Sequence, residues 1–172
     1  MKYTELSQQN LFVCYLQELY DTKTQQIAYY TYQALHNHFG QLSSFLAKQQ
    51  ESTAKQRDAL EILANSLSIY LSEEAYSPVR NLFRDAKEAY HSTHGNNNLE
   101  TANSAIAHLL QEVKYHEMVV GQEALTLACN QQEIKVASVL SKILDKDEQA
   151  YLQLRNFTMR SRKQSSSYEY ER

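Results

Sequence analysis

The chain has 172 residues and a net charge of −3, from 17 basic and 20 acidic side chains. That length suffices for one domain burying roughly 70% of its unfolded surface, and the charge leaves no electrostatic footprint for nucleic acid. Three glycines and one proline exclude the many turns of a sandwich or a doubly wound sheet, and the commonest residues are good helix formers, so the chain reads as all-α.

The first long helix is predicted from about Thr4 to His38, stopping at Gly40. Its inward stripe reads Phe12, Leu16, Leu19, Lys23, Ile27, Tyr30, Ala34, in steps of three or four. The second helix is predicted over 41–71, with the stripe Leu42, Phe45, Gln49, Ser52, Gln56, Leu60, Leu63, Leu67. The short link makes these two an antiparallel pair.

Ser77-Pro78 then places an N-cap before a first-turn proline. VRNLFRDAKEAY continues as a shorter helix, broken by HGNNN at 94–98. A segment this long is no hairpin turn, but it can cross the length of a bundle. The third long helix starts at Asn97, with Glu100 as capping-box partner, and runs to Cys129. Its stripe is Leu99, Ala102, Ile106, Leu110, Lys114, Glu117, Gly121, Leu125, Ala128. After Asn130-Gln131-Gln132 the fourth follows, with Val136, Leu140, Ile143, Asp147, Ala150, Leu154, Phe157. The polar, patternless stretch 159–172 reads as a disordered tail, leaving a single domain over 1–158. The expected architecture is a ferritin-like four-helix bundle, with a long crossover carrying a short extra helix between the second and third long helices.

Each of the four stripes is interrupted by polar residues near its middle. These are Lys23 on the first helix, Gln49, Ser52 and Gln56 on the second, Lys114 and Glu117 on the third, and Asp147 with Lys146 beside it on the fourth. Four interruptions at matching depth point to one shared polar layer. Isolated buried charges cost several kcal/mol each and persist only when paired; Lys23 and Lys114 against Glu117 and Asp147 is neutral.

A ferritin-like di-iron or di-manganese site at this depth needs a glutamate from each of two helices and a Glu-x-x-His pair from each of the other two. That set is missing. Glu88–His91, the one Glu-x-x-His, falls on the crossover and reads as a solvated pair.

LYDTKTQ, ESTAKQRDALE, QEVKYHEM and LDKDEQAYLQL, one on each long helix in this order, resemble the YciE/YciF-type proteins, a ferritin-like family of unknown function. The resemblance runs from about Leu6 to Phe157. In the family pattern Leu-Tyr-x-Ala-Glu-x-Gln the glutamate falls on Lys23. A histidine followed by Glu-Thr falls on Gln49, Ser52 and Thr53. Of Glu-His-Tyr-Glu, Lys114 replaces a glutamate, Tyr115 the histidine and His116 the tyrosine, while Glu117 is kept. A Glu-Glu pair falls on Lys146 and Asp147. The resemblance implies the fold, a homodimer and a bacterial stress-associated setting. It brings no metal site, because the candidate ligand positions have mostly been lost. No catalytic, cofactor or metal-ligating residue is therefore expected.

Alternatives remain at the level of residues. Glu117, Asp147 and His116 could bind one metal ion with Glu51 or Asp21, although consecutive helix residues diverge by about 100°. Lys23 could be an activated amine, but carboxylate neighbours are expected to raise its pKa. The 13 tyrosines, Tyr29, Tyr30 and Tyr32 among them, read as amphipathic residues at core edges rather than radical carriers. His36, His38, His91 and His94 suit helix ends.

Cys14 and Cys129 read as buried thiols in a reducing cytosol. No apolar run approaches the ~20 residues of a membrane span, and MKYTELSQQN lacks the apolar core of a secretory signal. The expectation is a cytoplasmic, non-enzymatic bundle protein. A metal-binding, iron- or manganese-dependent oxidoreductase or iron-handling protein stands second, and a small-molecule binder third.

Overall fold

The computed structural model describes residues 2–36, 40–72, 78–93 and 99–169, with side chains over 7–35, 42–72, 78–88 and 103–159. Five helices follow one another: α1 (Lys2–His36), α2 (Gly40–Ser66), α3 (Pro78–Thr93), α4 (Leu99–Asn130) and α5 (Ile134–Glu169). No strand occurs among the described residues.

Two apolar clusters fix the helix directions. One gathers Phe12, Leu16 and Leu19 of α1 with Leu60 and Leu63 of α2, Val120, Ala124 and Ala128 of α4, and Val136, Leu140 and Ile143 of α5. The other gathers Tyr29 and Tyr30 with Leu42, Phe45, Ile106, Leu110 and Leu154. Residue numbers rise from the first cluster to the second along α1 and α5, and fall along α2 and α4. The helices are therefore antiparallel to their packed neighbours: α1 packs on α2 and α4, and α5 packs on the same two. The chain must travel the length of the bundle between α2 and α4. It does so with α3, which packs on α1 and α4 and delivers Val79 and Phe83 to the second cluster.

Two helix ends close without glycine. Ser68 takes φ 57°, its amide bonds Asn65 O at 3.1 Å, and the Ile69 amide reaches Ala64 O at 2.8 Å. Gln132 takes φ 60° and the same pair of bonds recurs, Gln132 to Cys129 O and Glu133 to Ala128 O, each 3.0 Å. Both are Schellman ends. The first stops α2 at Ser66, five residues before the boundary the apolar pattern suggests. Gly121 permits a close α4–α5 approach: a Cβ there would sit 2.8 Å from Leu144 Cδ2.

The backbone of α5 stays helical to Glu169; residues 159–169 hold no glycine or proline to stop it. Two expectations are corrected. The α1 stripe turns after Lys23 to Gln26, Tyr29, Tyr30 and Gln33, all buried, leaving Ile27 half-buried and Ala34 exposed. Positions 26 and 27 both lie within a helical step of Lys23, so hydropathy favours 27 and 34; packing decides for 26, 29 and 33, on the side where α3 lays Phe83 against Tyr29. Cys14 and Cys129 are exposed free thiols, because both lie on the outer faces of their helices. The expected caps Ser77 and Asn97, together with His38 and His94, fall outside the described residues, as do the side chains of His36 and His91.

Candidate functional site

Between the two apolar clusters lies a layer of buried polar side chains. Lys23 and Glu117 are 0% exposed, Lys114 and Asp147 1%. Each occupies an inward position of its helix: Lys23 four residues after Leu19, Lys114 four after Leu110, Glu117 three after Lys114, and Asp147 four after Ile143. Antiparallel packing then brings the helix middles to one height.

The four charges close into a ring. Lys23 Nζ donates to both Asp147 oxygens at 2.7 Å and stands 2.7 Å from Glu117 Oε1. Lys114 Nζ lies 2.8 Å from Glu117 Oε2 and 3.0 Å from Asp147 Oδ1. Each carboxylate bridges both ammonium groups, and each ammonium bridges both carboxylates. Gln56 adds α2 by donating to Asp147 Oδ1 at 3.2 Å and to the Ile143 carbonyl at 3.1 Å. All four long helices therefore meet in one network. Thr53 is buried in the same layer, and the Tyr30 hydroxyl donates to Gln26 Oε1 at 3.0 Å.

The electrostatics follow from burial against charge. Burial tends to raise the Asp147 carboxyl, but Lys114 and Lys23 outweigh it and hold the group below its ordinary value. Burial also opposes the charge on Lys114, yet Asp147 and Glu117 prevail and hold this amine well above 10.5. For Lys23 burial prevails and lowers the pKa, with the Lys114 charge adding to it. Two amines sharing two carboxylates lose their protons in separate steps. These steps belong to the cluster as a whole rather than to either amine. The expectation that carboxylates would raise Lys23 is thus corrected, because complete burial outweighs them. Burial also pushes the Tyr30 hydroxyl up to about 12.

Not every candidate joins the layer. Lys146 is exposed, since it lies about 100° round the helix from Asp147. Gln49 and Ser52 are half-buried, and Thr53 takes the inward place beside Gln56. Tyr29 and Tyr30 are 1% exposed, so they belong to the core rather than its edge.

The alternative single-metal set is scattered. His116 Nε2 lies 2.8 Å from Glu18 Oε1 between α4 and α1. Exposed Glu51 pairs with Lys55, and Asp21 pairs with Arg80 at 2.9 Å. Only Glu117 and Asp147 of that set converge. Among the described residues no group of three or more His, Cys, Asp and Glu side chains is arranged to hold a metal ion. As it stands the layer offers a metal two carboxylates already engaged by two ammonium groups, which does not fit a dimetal site.

A family model described as Domain of unknown function (DUF892) matches residues 7–166. The chain belongs to the DUF892 family. Solved structures resemble this DUF892 chain across most of its length. The E. coli stress protein YciF has a TM-score of 0.76 at 20% identity, over 90% of this chain and 96% of that one. YcfI from Rhodopseudomonas palustris, described as a candidate structural protein, has a TM-score of 0.76 at 19% identity, over 86% and 92%. A protein from Xanthomonas campestris pv. campestris has a TM-score of 0.69 at 14% identity, over 96% and 99%. At these identities the likeness concerns the fold. The comparison with curated proteins gave no match. No helix among the described residues is long and apolar enough to cross a membrane.

Proposed function

We propose that this DUF892 chain is a non-enzymatic helical module, with a structural or stress-associated role, whose midplane is held by lysine–carboxylate pairs where a ferritin-like relative would hold a dimetal centre. One observation carries the reading: two amines, 0% and 1% exposed, stand 2.7–3.0 Å from Glu117 and Asp147. A dimetal centre gathers carboxylates by supplying about four positive charges. Here Lys23 and Lys114 supply two, covalently, to two carboxylates. Charge neutrality is reached inside the fold, and coordination would require displacing an ammonium group. The names of two similar structures, a stress protein and a candidate structural protein, support the biological setting. The exposed thiols Cys14 and Cys129 suit a reducing, cytoplasmic compartment.

The same reading includes a homodimer. Exposed Tyr115 and Val119 of α4 and Leu152 of α5, with Tyr115 against the Tyr151 ring at 6.4 Å, support self-association through the outer face of these helices.

Elemental analysis of protein purified from iron-, manganese- and zinc-supplemented medium tests the first part, together with a peroxide-consumption assay. The expected result is substoichiometric metal and no turnover. A stoichiometric dimetal centre that is lost in Glu117→Gln would overturn the reading in favour of a residual metal-dependent oxidoreductase. Sedimentation of the native chain and of Tyr115→Glu tests the dimer.

A further inference from the structure

α1 has a second built face, pointing away from the ion ring. Gln17 Nε2 donates to the Ser72 carbonyl at 2.6 Å, and its Oε1 accepts from the Ser72 amide at 2.8 Å. Asp21 accepts from Arg80 Nη2 at 2.9 Å. The Tyr29 ring stacks on Phe83 at 4.8 Å, and the Lys87 ammonium lies 5.0 Å above the Tyr32 ring. Residues 17, 21, 29 and 32 thus form one fastening stripe for the crossover. None of the ring's ion pairs or its Gln56 bonds involves α3.

The fastening is uneven. Among the described α3 side chains only Val79 and Phe83 are buried, while Asn81, Leu82, Arg84, Asp85 and Glu88 are exposed. Beneath α3, Asp21 is 0% exposed, and among the described residues its Oδ2 has no hydrogen-bond partner. A buried, half-satisfied carboxylate opposes the docked state, because release returns that oxygen to water. Among the described α3 side chains the apolar gain is Val79 and Phe83, the latter stacked on Tyr29, with Ala86 partly buried beside them. The first apolar cluster and the ion ring contain no α3 residue, and the second cluster takes only Val79 and Phe83 from it, with Ala86 packed alongside.

We infer that α3 is a strap that releases from α1 as a unit while the four-helix bundle stays folded, and that the Asp21–Arg80 pair is its fastener. Release uncovers a stripe of α1 made of one acid and two aromatic rings. The segment is a conformational device, drawn from the low-stability end of the fold, where small apolar burial permits local opening.

Native-state hydrogen exchange on the full chain tests this. Amides of α3 should exchange through an opening with a smaller urea dependence than amides around Leu110 and Leu140. Arg80→Ala should speed α3 exchange roughly tenfold or more, as expected for loss of a hydrogen bond to a charged group, without changing exchange around Leu110. Phe83→Ala should act in the same direction by removing the stacked ring. The inference is overturned if α3 amides share the opening energy and urea dependence of the core. It is equally overturned if both variants lower core protection as much as α3 protection.

Discussion

Lys23 Nζ stands 2.7 Å from both carboxylate oxygens of Asp147, on helices whose residues lie 124 positions apart in sequence. The pair is part of a closed ring in which Lys114 and Glu117 take the other two corners. The energetic consequence is asymmetric, because desolvation of each charge is offset only while its partners remain. Lys114→Met or Lys23→Met should therefore destabilise by about 3–5 kcal/mol. Replacing all four charges with apolar residues of similar volume should leave stability unchanged or raise it by up to about 4 kcal/mol. Chemical denaturation of the three proteins checks both statements, and additive losses in the quadruple variant would contradict the ring.

The acid limb of stability should carry the signature of Asp147. Its pKa is held below the ordinary 3.8, so around and below that value the unfolded chain binds more protons than the folded one. The stability it contributes is fully present above the unfolded value and is lost as pH falls through the folded one. Lys114, held well above 10.5, has the opposite window. Its contribution is present below 10.5 and lost as pH rises through the folded value. Lys23, lowered from 10.5, opposes it: between its folded value and 10.5, stability rises with pH. Urea midpoints should fall as pH drops below about 4, and Asp147→Asn should flatten that fall.

Removing the built-in cations should open the layer to an inorganic one. Lys23→Glu/Lys114→Glu joins two carboxylates to Glu117 and Asp147, and like charges at this separation repel strongly. The variant should be destabilised without metal, and its melting temperature should rise with added manganese, while the native chain shows no such rise. Equal responses of the two proteins would argue against the lysines as the determinants.

Ser68 and Gln132 close helices at φ 57° and 60°, where an L side chain costs roughly 1 kcal/mol relative to glycine. Ser68→Gly and Gln132→Gly should each stabilise the fold by up to about 1 kcal/mol, additively, because the two ends share no bonds. Thermal denaturation of the singles and the double checks this.

Gly121 gives a steric counterpart. The alanine Cβ would meet the flexible end of Leu144 at 2.8 Å, a contact that Leu144 can relieve, and alanine recovers about 1 kcal/mol of helix propensity. Gly121→Ala should stay within about 1 kcal/mol of the native stability, whereas Gly121→Leu should lose about 1–3 kcal/mol by overpacking.

By itself, the sequence determined the helices, their crossover and the four ring charges. Periodicity records which side of a helix faces inward, and a charge on that side must find a partner; Lys23, Lys114, Glu117 and Asp147 were legible for that reason. Where an inward position is polar and its neighbour apolar, as at Gln26 beside Ile27, hydropathy points the wrong way. Lys146 misleads similarly, because adjacency in sequence is divergence on a helix. The C-terminal end of α2 was hidden because a Schellman turn built on serine carries no glycine signal.

Only the tertiary structure decided what surrounds each charge. Asp21 looks like a surface residue of α1 until α3 covers it, and the direction of the Lys23 shift depends on complete burial that spacing cannot measure. Both outcomes rest on how many helices crowd one side chain, a quantity set by packing across the bundle and absent from any single stretch of chain.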